Sequence, residues 1–320
     1  MKNFDEMVAT TITAITVISS DVNIGNLFPV IPIKRDVKSK AKGKKIIIIG
    51  TGDYGDIVSC RHDGTERGIS KDSGFFRNAI SLYISCGTKY VSVKLTSKSI
   101  QMCGLKSTEM MKQISEIVVN LINGVQSNIS AITDDKDMGK RILDWFTENV
   151  SVANGKLRIC KCPKFIENCA YEFLKSLMSD YVTVADYILH VKWVTTMENV
   201  VNEKLLIVSM KTSMVNYNYG LGFKIDRIRV RDLLRANPPF GARYINSIDH
   251  YVSVTYPYVI EDGKSENIRK KSKERNHTFL IYASGNTTQS GPHPALVKEA
   301  YNLFKKIITE NEESIICAGV

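Results

Sequence analysis

Two stretches of this chain carry residue types that could do chemistry. One is the glycine-rich run from Gly50 to Asp56 (GTGDYGD), which follows a strand-like Ile46 to Ile49; the other is the thiol group Cys160, Cys162 and Cys169. A phosphate loop needs glycines that let backbone N–H groups approach the phosphate and a helix that starts at once behind them. Gly50 to Asp56 lacks the G-x-x-x-x-G-K-[ST] order and no helical pattern follows, so it reads as a turn. The three cysteines are spaced C-x-C-x6-C with no histidine nearby, which is not a zinc spacing. The histidines His62, His190, His250, His277 and His293 form no i, i+4 pair, and scattered Ser, His and Asp define no triad. Catalysis, a metal and a cofactor are therefore not expected.

The bulk properties point to a binding protein. The chain has 320 residues, 43% of them hydrophobic, and a formal charge of +10, with a pI near 9.1. It can bury a sizeable core, and the basic excess favours an acidic partner, nucleic acid being the commonest. No run of 18 uninterrupted apolar residues exists, and the N-terminal MKNFDEMVATT lacks a signal-type apolar region, so no membrane association is expected. The 7 cysteines are unframed and suit reduced thiols in an intracellular compartment. Basic residues crowd positions 34–45, from Lys34 and Arg35 to Lys44 and Lys45, and positions 264–275, from Lys264 to Arg275. Both read as loops, either simply solvated or acting as phosphate-contacting arms whose affinity falls with salt.

The elements that must position these groups repeat. Val91 to Leu121 and Thr278 to Ile308 echo each other: at one common offset Ser97 meets Ser284, Gly104 meets Gly291, and Met110, Ile114, Ile117 and Leu121 meet Val297, Tyr301, Phe304 and Ile308. The spacing predicts a β-hairpin leading into an amphipathic helix, written twice. Further strands are expected at Val8 to Ile18, Lys45 to Ile49, Asp56 to Cys60, Asn78 to Ser85 and Tyr251 to Val259, and turns at His62 to Gly74. Asp21 or Asn23 could cap a short helix. Val215, Tyr217 and Tyr219 alternate with Asn216, Asn218 and Gly220, which gives one apolar face and one polar face; a short amphipathic helix follows at IDRIRVRDLL. Between the halves, Met138 to Phe146, Phe165 to Met178 and Val184 to Val194 show helical periodicity. The class is α+β, with helices on one side of the sheet and the other side open.

At MVNYNYGLGFKIDRIRVRDLL, LIYASGNTTQSGP, KLTSKSIQMCGLKS and FFRNAISLYIS the chain resembles the TATA-box-binding protein family, in the enlarged form that looks most like those encoded by giant double-stranded DNA viruses. The resemblance implies a pseudo-twofold saddle, a curved antiparallel sheet with helices on the convex face. It divides the chain into a first repeat over 1–128, a helical insert or connector over 129–204 and a second repeat over 205–320. It also implies a non-enzymatic transcription initiation factor whose concave sheet docks in the minor groove of double-stranded DNA. RNA polymerase or other transcription factors would bind the convex face, in a viral factory or virion, or otherwise in the nucleus. The runner-up is a protein-interaction or virion-associated module that kept the saddle and lost DNA bending.

Carried over residue by residue, the wedges that unstack bases would be Phe76 and Leu95 in the first half and Tyr251 and Tyr282 in the second. The groove-reading positions would be Thr11, Thr13, Gln101, Cys103, Asn216, Asn218, Thr288 and Ser290. Lys98 stands where the family has a hairpin glycine. For the first hairpin two registers compete. The resemblance puts Val93 and Leu95 on the open face, which buries Lys94; plain alternation puts Val91, Val93 and Leu95 in the core and Lys94 on the open face. A one-residue slip exchanges the faces, and the cost of burying an unpaired lysine favours the second.

Overall fold

The computed structural model describes residues 1–34, 39–42, 45–48, 52–69, 76–87, 89–159, 162–258 and 275–317. In chain order the first elements are β1 (Thr11–Ile18), α1 (Ile24–Leu27), β2 (Ser39–Lys42), β3 (Lys45–Ile48), β4 (Ile57–His62), β5 (Thr65–Gly68), β6 (Ile80–Ser85), β7 (Tyr90–Leu95) and β8 (Ser99–Leu105). Then come α2 (Thr108–Thr133), α3 (Lys136–Asn149), β9 (Val150–Ala153), β10 (Lys156–Ile159), α4 (Asn168–Leu177) and α5 (Val184–Val194). The last elements are β11 (Ile207–Gly220), α6 (Arg227–Arg235), β12 (Gly241–Arg243), β13 (Tyr251–Tyr258), β14 (Arg275–Tyr282), β15 (Asn286–Gly291), α7 (Pro294–Glu310) and α8 (Glu312–Ile315). The class is α+β with antiparallel strand pairing. The chain forms two compact units: unit 1 is Met1–Ala14 with Thr212–Val320, and unit 2 is Ile15–Lys211. The segment over 129–204 lies wholly inside unit 2.

In unit 2 the strand order is β8–β7–β6–β4–β5, each neighbour antiparallel. Leu82, Val93, Met102 and Cys60 form one buried row across it, because successive side chains of a strand alternate between faces. Helix α2 covers that face with Met111, Ile114, Val118 and Ile122. Its N-cap Ser107 accepts a hydrogen bond from the Met110 amide at 3.1 Å, and Thr16 on β1 meets Ser115 on α2 at 2.7 Å. Helices α3, α4 and α5 pack on α2 and on one another around Phe146, Tyr171 and Tyr187. The expected helices are all present, and Val184–Val194 has the expected bounds. The β9–β10 hairpin was not expected, although Asn154–Gly155, both with positive φ, carry the usual signal of a two-residue hairpin turn; it is four residues a side. Asn123 and Gln126 on α2 fix the chain on its way out of this region: Asn123 bonds both backbone groups of Leu205, and Gln126 Oε1 accepts from Val200 and Val201.

Unit 1 orders its strands β12–β13–β14–β15–β11, again antiparallel. Its core joins Tyr217, Tyr219, Phe279 and Ile281 to Val297, Tyr301 and Phe304 of α7. Tyr219 donates to Gln289 Oε1 at 3.1 Å, and Gln289 Nε2 donates to the Val297 carbonyl at 2.9 Å, so the buried hydroxyl and amide satisfy each other. Phe4 packs between Tyr217 and Tyr301, with ring centroids at 4.8 and 5.5 Å. Tyr301 donates to the Lys2 carbonyl, and Lys298 pairs with Asp5 at 2.7 Å. Asp226 caps α6 by accepting from Ile228 and Arg229. Pro257 in β13 lies beyond the reach of β12, which pairs only with Ser253 to Thr255, so its missing N–H costs nothing on that side.

The echo survives, but not at a single offset. Burial matches Val91, Val93 and Leu95 on β7 to His277, Phe279 and Ile281 on β14, and Met111, Ile114 and Val118 on α2 to Val297, Ala300 and Phe304 on α7. That is one residue shorter than the offset matching Ile100, Met102 and Gly104 on β8 to Thr287, Gln289 and Gly291 on β15. The turns explain the change. The second hairpin takes an extra residue and turns at Gly285, with φ +82° and an N–H bonded to Tyr282 O. The shorter first turn is closed by Thr96, whose Oγ1 accepts from the Ser99 amide at 3.0 Å, so Lys98 needs no positive φ.

Other expectations shift with the structure. Positions 39–42, expected as loop, are strand β2, paired with β3 over 45–48, where a strand was expected, and the turn-rich stretch after His62 contains β5. Positions 264–274 lie outside the described residues.

His277 is the outlier among these core positions. It is 1% exposed, its ring lies 4.7 Å from that of Tyr258, and a Cβ on Gly291 would come within 2.3 Å of its Nδ1. Burial pushes its imidazole pKa down to about 4, and burial with the nearby Arg67 charge does the same for His190 in unit 2. A folded value below the unfolded value of about 6.5 means that the unfolded chain takes up the proton first as pH falls. Stability is therefore undiminished above that value and declines as pH drops from it toward 4. The urea midpoint is expected to fall across that window in the native chain. His277→Val, which installs the residue type of Val91, is expected to flatten the fall; an unchanged slope would assign it to other groups.

Candidate nucleic-acid interface

The face of each sheet opposite its helices is largely polar and at least partly exposed, except at β4, where Ser59 and Arg61 are buried. In unit 1 the register aligns one row across all five strands: Asn218, Thr288, Leu280, Ser253 and Arg243. The next row is Asn216, Ser290, Thr278, Thr255 and Gly241. At the turn end Tyr251 faces Tyr282, with ring centroids 5.6 Å apart in an edge-on geometry, and Tyr282 is 37% exposed. The β1 side of this face is tied on by backbone bonds: the Thr10 amide donates to Asn216 O at 2.7 Å and the Asn218 amide to Thr10 Oγ1 at 3.0 Å. Apart from Leu280 and Gly241 the rows are hydroxyls and amides, with Arg243 their single formal charge. The side-chain amide of Asn216 is partly enclosed, and its Oδ1 has no hydrogen-bond partner among the described residues.

Unit 2 carries the corresponding rows. Gln101, Lys94, Ser81, Arg61 and Glu66 run across β8, β7, β6, β4 and β5, and Cys103, Ser92, Tyr83, Ser59 and Gly68 run beside them. Arg61 is buried and paired with Glu66. Lys94 places Nζ 3.6 Å from the centroid of the Phe76 ring, and Phe76 is 50% exposed. A cation held over a ring is worth about 0.5–1 kcal/mol at an exposed site, so the two side chains steady each other.

The residues expected at this face fall into two sets. Asn216, Asn218, Tyr251, Tyr282, Thr288 and Ser290 share the open side of unit 1, and Lys94, Gln101 and Cys103 share that of unit 2. Thr11 and Thr13 have the parity opposite to Thr16, which faces α2; Thr11 is partly exposed and Thr13 is buried, its carbonyl accepting from Ser213. Phe76 lies against Lys94 rather than in a strand. Leu95 is the correction: it is fully buried, paired with Ile80 and Ile100 in the core. The register conflict closes in favour of Lys94 on the open side. The error came from the uniform offset, which matched Leu95 to Tyr282; the true equivalent of Leu95 is buried Ile281, and that of Tyr282 is Thr96.

Sequence reasoning passed over several open-side residues. Ser81, Tyr83, Ser92 and Arg243 sit in the rows above, and Val208 and Met210 in unit 2 and Met214 in unit 1 are exposed apolar side chains on β11. Their even spacing was a usable signal. It was masked because Val215, Tyr217 and Tyr219 put the apolar phase of the same strand on the odd, buried positions.

The rival sites dissolve on geometry. Gly50, Gly52 and Gly55 do stand at G-x-G-x-x-G spacing, with Gly50 outside the described residues, but a strand and not a helix follows. The amides that a phosphate would need are taken: Asp53 N–H by Asp56 Oδ2 at 2.8 Å, Asp56 N–H by Asp53 O at 3.1 Å and Gly55 N–H by Ser85 O at 2.8 Å. Cys162 and Cys169 are free thiols, Cys160 lies outside the described residues, and no cluster of three metal-type side chains occurs among the described residues. No helix among the described residues is long and apolar enough to cross a membrane.

No protein-family model matches the chain, and no curated protein matches it. Among solved structures, a Methanococcus jannaschii TBP is similar at 11% identity and a TM-score of 0.38, over 95% of this chain and 98% of that one.

The face assignment makes a direct prediction for neighbouring residues. Leu95→Ala is expected to cost about 2–5 kcal/mol of unfolding free energy, the range for emptying a buried leucine site. Lys94→Ala should stay within about 0.5 to 1 kcal/mol, the ring contact included. Urea unfolding of the two variants checks this; the reverse order would mean that the strand is turned over.

Proposed function

We propose that the chain is a TATA-box-binding-protein-like DNA-binding factor that acts without catalysis and docks the open sheet faces in the minor groove of duplex DNA. The observation that carries this reading is the pair of open polar rows, mostly hydroxyls and amides in unit 1 and Gln101, Lys94 and Ser81 in unit 2, set opposite faces that are packed under α2 and α7. The minor-groove floor presents mainly acceptors, A N3 and T O2, to which Asn, Gln, Ser and Thr can donate. The unit 1 face, poor in cations, suits base edges; Arg243 at its margin, Lys94 and the basic segments 34–45 and 264–275 would supply phosphate contacts and the salt dependence that goes with them. The Tyr251–Tyr282 pair is the best-placed wedge. In the full reading the two units form a pseudo-twofold saddle, and the helix-covered side recruits RNA polymerase or another transcription factor during initiation. The source would be a large DNA virus, with the protein in its factory or virion; a cellular source would place it in the nucleus.

One observation favours a second reading, a protein-interaction or virion-associated module that kept the saddle and lost DNA bending. In the first half Leu95 is core and Phe76 is engaged by Lys94, which leaves the tyrosine pair without a counterpart.

A gel-shift and bend assay on AT-rich and GC-rich duplexes across a salt series separates the two. The proposal expects AT-preferring binding that bends the duplex and weakens with salt. Tyr282→Ala should reduce affinity on the order of tenfold, the scale of one lost stacking contact of about 1–3 kcal/mol. Salt-sensitive binding with neither bending nor base preference, or no binding, would give the second reading the lead.

A further inference from the structure

The tyrosine pair of unit 1 stands at a place where unit 2 carries small side chains. In unit 1 the buried pair Val252 and Ile281 closes the core toward the turn end of β13 and β14, and the next pair outward is Tyr251 and Tyr282. In unit 2 the buried pair Ile80 and Leu95 holds the corresponding place on β6 and β7. One step outward from it stand Ala79, 1% exposed, and Thr96. Thr96 is committed to its own turn: its Oγ1 accepts from the Ser99 amide at 3.0 Å and meets Ser99 Oγ at 2.8 Å. Two rings at a strand end can enter a base stack as apolar wedges do; a covered methyl and a turn-closing hydroxyl cannot.

Phe76 does not make up the difference. Its ring is 50% exposed, but Lys94 Nζ lies 3.6 Å from the ring centroid, so the ammonium covers one face. A base stacking on that face would have to displace the cation, and the same ammonium suits a phosphate. Farther along the row Arg61 and Glu66 are paired with each other. The tyrosines of unit 1 meet edge-on instead, and Tyr282 keeps 37% of its surface open.

Resting on the DNA-docking reading above, we infer that the chain unstacks duplex DNA at one base step, under the Tyr251–Tyr282 pair of unit 1, and that the unit 2 face holds the duplex without inserting a side chain. The site read on DNA is then asymmetric. Pyrimidine–purine steps such as TA unstack most easily, so the tyrosines select such a step at one end of the site. The unit 2 end accepts stiff A-tract sequence, whose narrow minor groove attracts a cation such as Lys94. A lone unstacked step also fixes the direction in which the chain lies along the duplex.

Permanganate oxidises thymines that have lost their stacking, and a nuclease footprint shows where the protein sits. Both are applied to the full chain on an AT-rich duplex with one TA step placed off centre in an A-tract. The expected result is one footprint with one hyper-reactive step, the TA step, near an end of the protected stretch. The Tyr251→Ala/Tyr282→Ala double variant, checked for an unchanged circular dichroism spectrum, is expected to keep a weakened footprint and lose the hyper-reactivity; Phe76→Ala is expected to keep both. Two hyper-reactive steps in one footprint, a footprint with none, hyper-reactivity that survives the double variant, or its loss in Phe76→Ala overturns the inference and leaves DNA docking standing. Absence of any footprint overturns the docking reading and this inference with it.

Discussion

The constraint on which the rest of this structure depends is that each sheet has helices on one side only. A strand exposes alternate residues to opposite faces, so packing one parity under a helix decides what the other can be. In unit 2, Val91, Val93 and Leu95 packed in the core under α2 oblige Ser92 and Lys94 to face out. In unit 1, Phe279 and Ile281 packed under α7 oblige Thr278, Leu280 and Tyr282 to do so. The strand residues of the candidate interface hold their places by this rule, whereas Phe76 is held outside the strands by Lys94. The interface is chemically plain for the same reason: its side chains are what the core leaves over, and their function lies in being small, polar and lined up in register.

Much of this was legible in the sequence where local pattern and tertiary packing agree. The helices of the 136–194 region follow from periodicity, and of the two caps expected for the short helix α1 it is Asn23 that accepts from the Asn26 amide. The doubled hairpin and helix were legible as an echo, because the same buried positions recur in each copy. What the echo could not convey was the length of the turns. Thr96 closes one hairpin with a hydroxyl, whereas the other spends an additional residue and a glycine; that single difference moves Leu95 from opposite Tyr282 to opposite Ile281. Side-chain placement in a sheet is thus limited by turn chemistry more than by strand pattern. The exposed run on β11 was missed for a related reason, since its apolar phase reverses within one strand and neither half looks like an error alone.

The helical segment shows a different economy. Arg67, on the outermost strand of the unit 2 sheet, reaches Asp180 and the carbonyls of Phe28 and Ile31 under the Phe28 ring. A half-buried guanidinium with several acceptors is held by geometry as much as by charge, and removing one partner would leave the other costly to bury. Asn123 and Gln126 do similar work with neutral groups, satisfying backbone of the returning chain that would otherwise lack partners. The segment is therefore fastened to the sheet through Asp180 and to α2 where the chain leaves it.

The packing of Phe4 against Tyr217 and Tyr301 joins stretches that lie far apart in the chain. The rings that enclose Phe4, the lysine that pairs with Asp5 and the hydroxyl that meets the Lys2 carbonyl all belong to β11 and α7, with the whole of unit 2 lying between them and Phe4 in the chain. Contacts of such high sequence separation are slow to form, because the loop they close must be ordered before they repay its entropy.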